Sequence, residues 1–239
     1  IDVEIILDYI LQLKKDKIFS KEIILIDNNE INLHNLKINI PDDNYLDFFG
    51  DQYSKNCFKK TIEKLKSFGV IFNKIDFSLF VEAGKMVFEG PILAERLSSI
   101  NSYFPDNNLQ INKVIETIIK KGSDFSALEL YETLHRVSEI KAQIEVFFKH
   151  DELLLVPTAG TIYKINEVNN DPINLNKNMG YYTYFANLLD LSAIALPSMI
   201  RDDNLPFGIC LYGKSGMDLN LIKIGKEWEE KNNNNKGNY

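Results

Sequence analysis

The chain has 239 residues, 45% of them apolar and 26% charged, the balance of a globular protein able to bury one or at most two cores. With 27 Lys and Arg against 34 Asp and Glu the formal net charge is −7, which argues against the clustered cationic surface that a nucleic-acid partner requires. No apolar run approaches the ~20 residues needed to span a bilayer, so no membrane contact is expected and the chain reads as cytoplasmic.

The sequence opens on Ile1 without a signal pattern, which reads as the start of a fragment. Val3, Ile6, Leu7, Ile10 and Leu13 recur at helical spacing, predicting an amphipathic helix over 2–14. After a polar stretch, the alternation Leu36-Lys37-Ile38-Asn39-Ile40 predicts a strand closed by Pro41. Ser54 to Phe68 follows as a helix with Phe58, Ile62 and Leu65 on one face and Gly69 as its stop, and Val70-Ile71-Phe72 begins the next strand. Lys59, Lys60, Lys64 and Lys66 fall at helical spacing beside apolar partners, so they read as a solvated helix face.

A helix over 78–100 is interrupted by Gly90-Pro91, and another covers 111–121. Ser126, with Glu129 three residues later, opens a long helix through a capping-box pattern. Leu153–Val156 reads as a buried strand and the Asn-rich stretch 166–180 as loop. A short helix around Tyr184, Leu188 and Leu189 precedes strands at 193–196 and 207–211, and 219–228 is the closing helix. Strands alternating with helices imply an α/β fold whose sheet is covered on both faces. Asn occurs 26 times, and residues 231–239, with the run Asn232–Asn235, read as a disordered tail behind a domain of residues 1–230.

Three stretches carry a resemblance. They are Leu46-Asp47-Phe48-Phe49-Gly50-Asp51 through the helix to Ile75-Asp76-Phe77, then Phe88-Glu89-Gly90-Pro91-Ile92-Leu93-Ala94-Glu95-Arg96, then Leu155-Val156-Pro157-Thr158-Ala159-Gly160-Thr161-Ile162-Tyr163 with Asp171-Pro172 and Asn187-Leu188-Leu189-Asp190-Leu191. Together with Ala195-Leu196-Pro197 and Leu205-Pro206-Phe207-Gly208 they resemble the amidase-signature family, and the second and third point to its allophanate hydrolase branch in urea degradation. The resemblance implies part of an α/β/α layered fold with a mixed sheet, an amide hydrolase activity, a small amide or carboxylate substrate and no cofactor or metal.

Such enzymes use a nucleophilic serine, a bridging serine and a neutral lysine. The resemblance places that trio, and the glycine-rich oxyanion loop, upstream of this chain, so no catalytic residue is assigned and a missing N-terminal half is the expected partner. Ser138 and Lys141 have suitable types, but they sit mid-helix without the strained turn that would expose a hydroxyl. What the resemblance assigns here is the substrate end. Arg96 matches a planar fork for a carboxylate, and Phe88 matches the position of a tyrosine eight residues earlier; Gly160 and Thr161 lie in a loop expected near the pocket because ligands of α/β sheets gather beyond strand C-termini. In an uninterrupted helix, positions 88 and 96 diverge by about 80°; a kink at Gly90-Pro91 brings both toward one pocket. Phe88 keeps the ring and loses the hydroxyl. The plainer reading of Arg96 is a surface ion pair with Glu95 or Glu89, and of Gly160 a strand-to-loop turn. The alternative to a hydrolase is a non-catalytic truncated relative, serving as a binding module or surviving as a decayed gene product, and a homodimer is compatible with the sequence.

Other patterns point elsewhere and fail on physics. Gly208 to Ser215 matches a phosphate-loop pattern literally, yet Ile209 to Tyr212 is apolar and strand-like. His34, His135, His150, Cys57 and Cys210 share no metal-ligand spacing, and the two cysteines read as buried thiols. Asp27-Asn28-Asn29-Glu30-Ile31 puts Ile31 where a calcium loop needs oxygen, so it reads as a polar turn.

Overall fold

A computed structural model describes residues 2–12, 24–103 and 111–232. Five strands form one mixed sheet in the order β2-β1-β3-β5-β4: β1 (Lys37–Pro41), β2 (Ile71–Ile75), β3 (Leu153–Pro157), β4 (Ser192–Ile200) and β5 (Pro206–Gly213). β1 lies parallel to β2 and β3, and β5 runs antiparallel to β3 and β4. Four strands therefore point one way, and the segments after β1, β2, β3 and β4 emerge at the same end of the sheet.

The helices are α1 (Asp2–Gln12), α2 (Gln52–Ser67), α3 (Ser78–Glu89), α4 (Leu93–Ile100), α5 (Lys113–Lys120), α6 (Ala127–Ile144), α7 (Ile165–Asn170), α8 (Asn174–Gly180), α9 (Phe185–Leu188) and α10 (Asp218–Lys231). On one face of the sheet Phe58 and Leu65 of α2 and Leu221, Ile224 and Trp228 of α10 pack on Leu153, Leu155, Ile209 and Leu211. On the other face Phe80 and Ala83 of α3, Ile140 and Ile144 of α6 and Phe185 of α9 pack on Leu154, Val156, Cys210 and Tyr212. Successive strand residues face opposite sides, so a strand buried on both must be apolar without interruption. That is why β3 and β5 read as continuous apolar runs.

Local signals set the ends of the helices. Asp51 caps α2 by accepting from the Ser54 amide at 3.0 Å. The Ser126–Glu129 capping box forms at the start of α6 as its sequence spacing predicts. Beyond α2, Gly69 adopts φ +92°, and a Cβ there would lie 2.5 Å from Nδ1 of His34.

Two expectations need correction. Residues 166–180 are not loop but the short helices α7 and α8, held by side chains that close on nearby backbone. Glu167 accepts from the Lys164 amide at 2.7 Å, Asp171 from the Asn174 amide at 3.3 Å, and the Asn176 amide group donates to the Pro172 carbonyl at 2.5 Å. Asn is a poor helix former in isolation because its side chain competes for backbone partners; here those same bonds lie at helix ends and support the turns. Residues 231 and 232, read in the sequence as the start of a tail, are instead part of the described fold. α10 runs to Lys231, and buried Asn232 donates to the Ser198 carbonyl at 2.7 Å and accepts from Lys64 at 2.5 Å. Residues 233–239, and Leu13 of the first predicted helix, lie outside the described residues.

Candidate substrate-binding site

α3 ends at Glu89 because Gly90 takes an extended backbone (φ −123°, ψ −176°) and Pro91 has no amide hydrogen to continue the helix. The chain restarts at once: the Leu93 amide donates to Gly90 at 3.1 Å and that of Ala94 to Pro91 at 2.9 Å. The break folds α4 back toward the last turn of α3. As a result the Arg96 guanidinium carbon lies 4.8 Å from the centroid of the Phe88 ring, a cation–π contact across the kink. On Phe88 also packs Tyr184, ring centroids 4.2 Å apart. Burial raises the Tyr184 phenol above its ordinary range, against the opposing effect of the Arg96 charge.

Neither acid offered by the sequence takes Arg96. Glu89 reaches across to Lys177 of α8 instead, and among the described residues no carboxylate forms an ion pair with the Arg96 guanidinium. The fork is half-buried, stacked on one ring, and its hydrogen-bond donors remain available for an anion. Beside the Phe88 ring, without Arg96 in its wall, a cavity of about 560 Å³ opens between α5, the kink and α8, walled by Phe88, Leu93, Val114, Ile118, Phe125 and Ile173 among others. A smaller recess of about 120 Å³ shares Phe88, Glu89, Lys177 and Tyr184 and adds Asn178 and Tyr181.

Arg96 and Phe88 are thus brought together, while Gly160 and Thr161 sit in a second cluster at the end of the sheet. Gly160 presses on the segment after β1: a Cβ there would lie 2.7 Å from the Asp47 carbonyl and 3.3 Å from the Phe49 ring. The buried Thr161 hydroxyl donates to Asp51 at 3.4 Å. Two links run from this loop toward the smaller recess. Asn178 donates to the Tyr163 hydroxyl at 2.9 Å, and Phe49 meets Tyr181 edge-on at 5.7 Å. Burial, with Asp47 nearby, pushes the Tyr181 phenol up to about 12.

Arg201 is the residue that sequence reasoning missed. Only 6% exposed, it donates to Asp51 at 2.8 Å and Ser54 at 2.9 Å through one nitrogen, and to both oxygens of Asp203 at 3.0 and 2.7 Å. The hydrogen bond from Arg201 holds the Asp203 carboxyl below its usual range. One side chain therefore ties the turn after β4 to the cap of α2, and through Asp51 to Thr161. The usable signal was Arg201-Asp202-Asp203 at a tight turn; the distant partners Asp51 and Ser54 left no trace in local spacing.

The other patterns resolve simply. The stretch from Gly208 to Gly213 is strand β5, hydrogen-bonded on both edges. Ser138 bonds back to the Leu134 carbonyl at 3.0 Å within α6. Cys57 and Cys210 are buried free thiols, and burial pushes Cys210 up to about 11. Among the described residues no group of three or more His, Cys, Asp or Glu side chains is placed to hold a metal ion, and no helix is long and apolar enough to cross a membrane.

The Amidase family model matches residues 1–222, nearly the whole chain. The chain belongs to the amidase family. Within it, urea amidolyase of Lachancea kluyveri is 28% identical over 196 residues, covering 81% of this chain and 11% of that protein. The solved allophanate hydrolase of Kluyveromyces lactis superposes with a TM-score of 0.79 at 28% identity, over 86% of this chain and 34% of that one. A bacterial aryl acylamidase, 18% identical, shares the fold with a TM-score of 0.62 over 83% of this chain and 44% of its own. The chain is thus related to allophanate hydrolase, with the mixed-sheet α/β fold of that family, and spans about a third of the solved allophanate hydrolase chain.

Proposed function

We propose that the chain is the substrate-holding portion of an amide hydrolase acting on a small urea-derived acid, with Arg96 taking the carboxylate. One observation carries the reading. The half-buried Arg96 guanidinium is stacked on Phe88, and no carboxylate among the described residues occupies its fork. An arginine placed for structure alone would more simply have paired with Glu89, which lies within the same break yet bonds to Lys177. The relatedness to allophanate hydrolase supplies the substrate class, since that enzyme's name specifies an acid bearing a carboxylate beside the scissile amide.

The reading includes that the nucleophilic serine, bridging serine and lysine come from polypeptide outside these 239 residues. The Ser138 hydroxyl, committed to a helix carbonyl, offers no substitute. Joining this chain to an amidase N-terminal portion bearing the paired serines and lysine is expected to give ammonia release from allophanate. The chain alone is expected to bind allophanate more tightly than biuret, its neutral analogue, and Arg96→Gln is expected to remove that preference. An inactive joined protein together with unchanged binding in Arg96→Gln overturns the reading.

A further inference from the structure

The cavity beside Phe88 is unlike a pocket built for a urea-derived acid. Such a ligand is small and carries hydrogen-bonding atoms over most of its surface, so its site needs donors and acceptors that face inward. Here the wall is chiefly apolar: Phe88, Leu93, Val114, Ile118, Phe125 and Ile173 contribute most of it. The α5 helix has a strongly one-sided apolar face and no fully buried residue, and Val114, Ile115 and Ile118 of that face line the cavity. A volume of about 560 Å³ falls within the range of sites for whole organic ligands.

The polar groups on the wall are nearly all engaged with one another. Glu89 pairs with Lys177. The Tyr184 hydroxyl donates to the Asn176 carbonyl at 2.7 Å, and the Asn176 side-chain amide to the Pro172 carbonyl at 2.5 Å. Lys121, at the end of α5, is the exception: it is exposed, lines the cavity, and forms no ion pair with a carboxylate among the described residues. An apolar chamber with a single uncommitted ammonium selects one chemistry. Its ligand has a water-avoiding body and one negative charge.

We infer that this cavity binds a monocarboxylate with an aliphatic body, the chain lying along α5 and Phe88 and the carboxylate meeting Lys121. The inference goes beyond the Arg96 reading: Arg96 does not line this chamber, so the aliphatic acid occupies a site beside the proposed carboxylate fork and not the fork itself. It gives the loss of a hydroxyl at position 88 a cause: a ring without a polar tip suits an apolar neighbour.

Titration of the 239-residue chain with butyrate, hexanoate and octanoate, followed by calorimetry, tests it. Each methylene buried adds about fourfold in affinity, so octanoate, with four more methylenes, is expected to bind about 250-fold tighter than butyrate. Lys121→Gln is expected to weaken octanoate about tenfold and leave 1-octanol unchanged. Ile115→Glu, at a wall residue that is 51% exposed and so compatible with folding, is expected to abolish octanoate binding while the circular dichroism spectrum stays unchanged. Equal affinities for butyrate and octanoate overturn the inference, as does octanoate binding that survives Ile115→Glu or is indifferent to Lys121→Gln. The two readings fail separately. Octanoate binding with no allophanate hydrolysis by the joined protein removes the urea-derived substrate alone; hydrolysis without any dependence on chain length removes this cavity assignment alone.

Discussion

The Arg96 guanidinium carbon stands 4.8 Å from the centre of the Phe88 ring although a helix break separates the two residues in the chain. The contact exists because of the break. In one straight helix the side chains would diverge by about 80°, and the ring would cover neither the fork nor the cavity wall. The ring limits the guanidinium's freedom without using its hydrogen-bond donors.

Phe88→Tyr provides a direct test of this corner. A hydroxyl donor returned beside Arg96 is expected to strengthen allophanate binding by about tenfold to a hundredfold, the value of one hydrogen bond to a charged group. Calorimetric titration reads the change. Unaltered affinity would mean that the carboxylate is held elsewhere.

Arg201→Met is expected to destabilise the fold by about 3–5 kcal/mol. Arg201 and Asp51 are both nearly buried, with side-chain exposures of 5% and 9%, so removing the cation strands a carboxylate that the cap of α2 also uses. Urea unfolding measures the loss. Arg201→Lys is expected to restore only part of it, because an ammonium cannot serve Asp51 and both oxygens of Asp203 in the same planar geometry.

Two glycines should respond in opposite directions to alanine. At Gly160 a Cβ would lie 2.7 Å from the Asp47 carbonyl, a backbone atom that yields only if the loop moves, and Gly160→Ala is expected to cost about 1–3 kcal/mol. Gly84 lies inside α3 with nothing nearer than 3.6 Å, so Gly84→Ala is expected to gain about 0.5–1 kcal/mol through helix propensity. Denaturation midpoints of the two variants, compared at a constant slope, decide the matter.

Acid should loosen the α3–α6 contact. Arg136 donates to both oxygens of Glu82, at 2.7 and 2.8 Å, and these bonds hold the Glu82 carboxyl below its ordinary range. The folded value is thus lower than the unfolded one, so the contribution to stability is present above about pH 4.3 and is lost as pH falls through the folded value. It is small, because both ends are about a third exposed or more and solvent screens them. Glu82→Gln is expected to lower the unfolding midpoint slightly at pH 7, with the gap to the parent chain narrowing as pH falls below about 4.3; a gap that does not narrow would contradict the assignment.

The layered fold was legible in the sequence wherever burial dictated composition. Leu153–Val156 and Phe207–Leu211 are apolar throughout because helices cover both faces, and Gly90-Pro91 marked the break that sets the candidate site. Residues 166–180 were misjudged because their helical turns depend on Asn and Asp side chains whose propensities favour loops. At the site, Arg96 and Phe88 were readable from a motif eight positions apart. Arg201 was not, since its role is fixed by Asp51, Ser54 and Thr161, brought together only when the ends of β1, β3 and β4 align.

The strand order also has a consequence for synthesis. β1 finds its first neighbour, β2, soon after translation, but its other edge waits for β3, whose last residue is Pro157. At ~5–20 residues per second, the stretch between β2 and β3 takes roughly 4–16 s to emerge. Through that interval the nascent chain presents an open hydrogen-bonding edge flanked by Ile38 and Ile40. This window is when a chaperone would matter most to the protein, and slow codons within 76–152 would lengthen it.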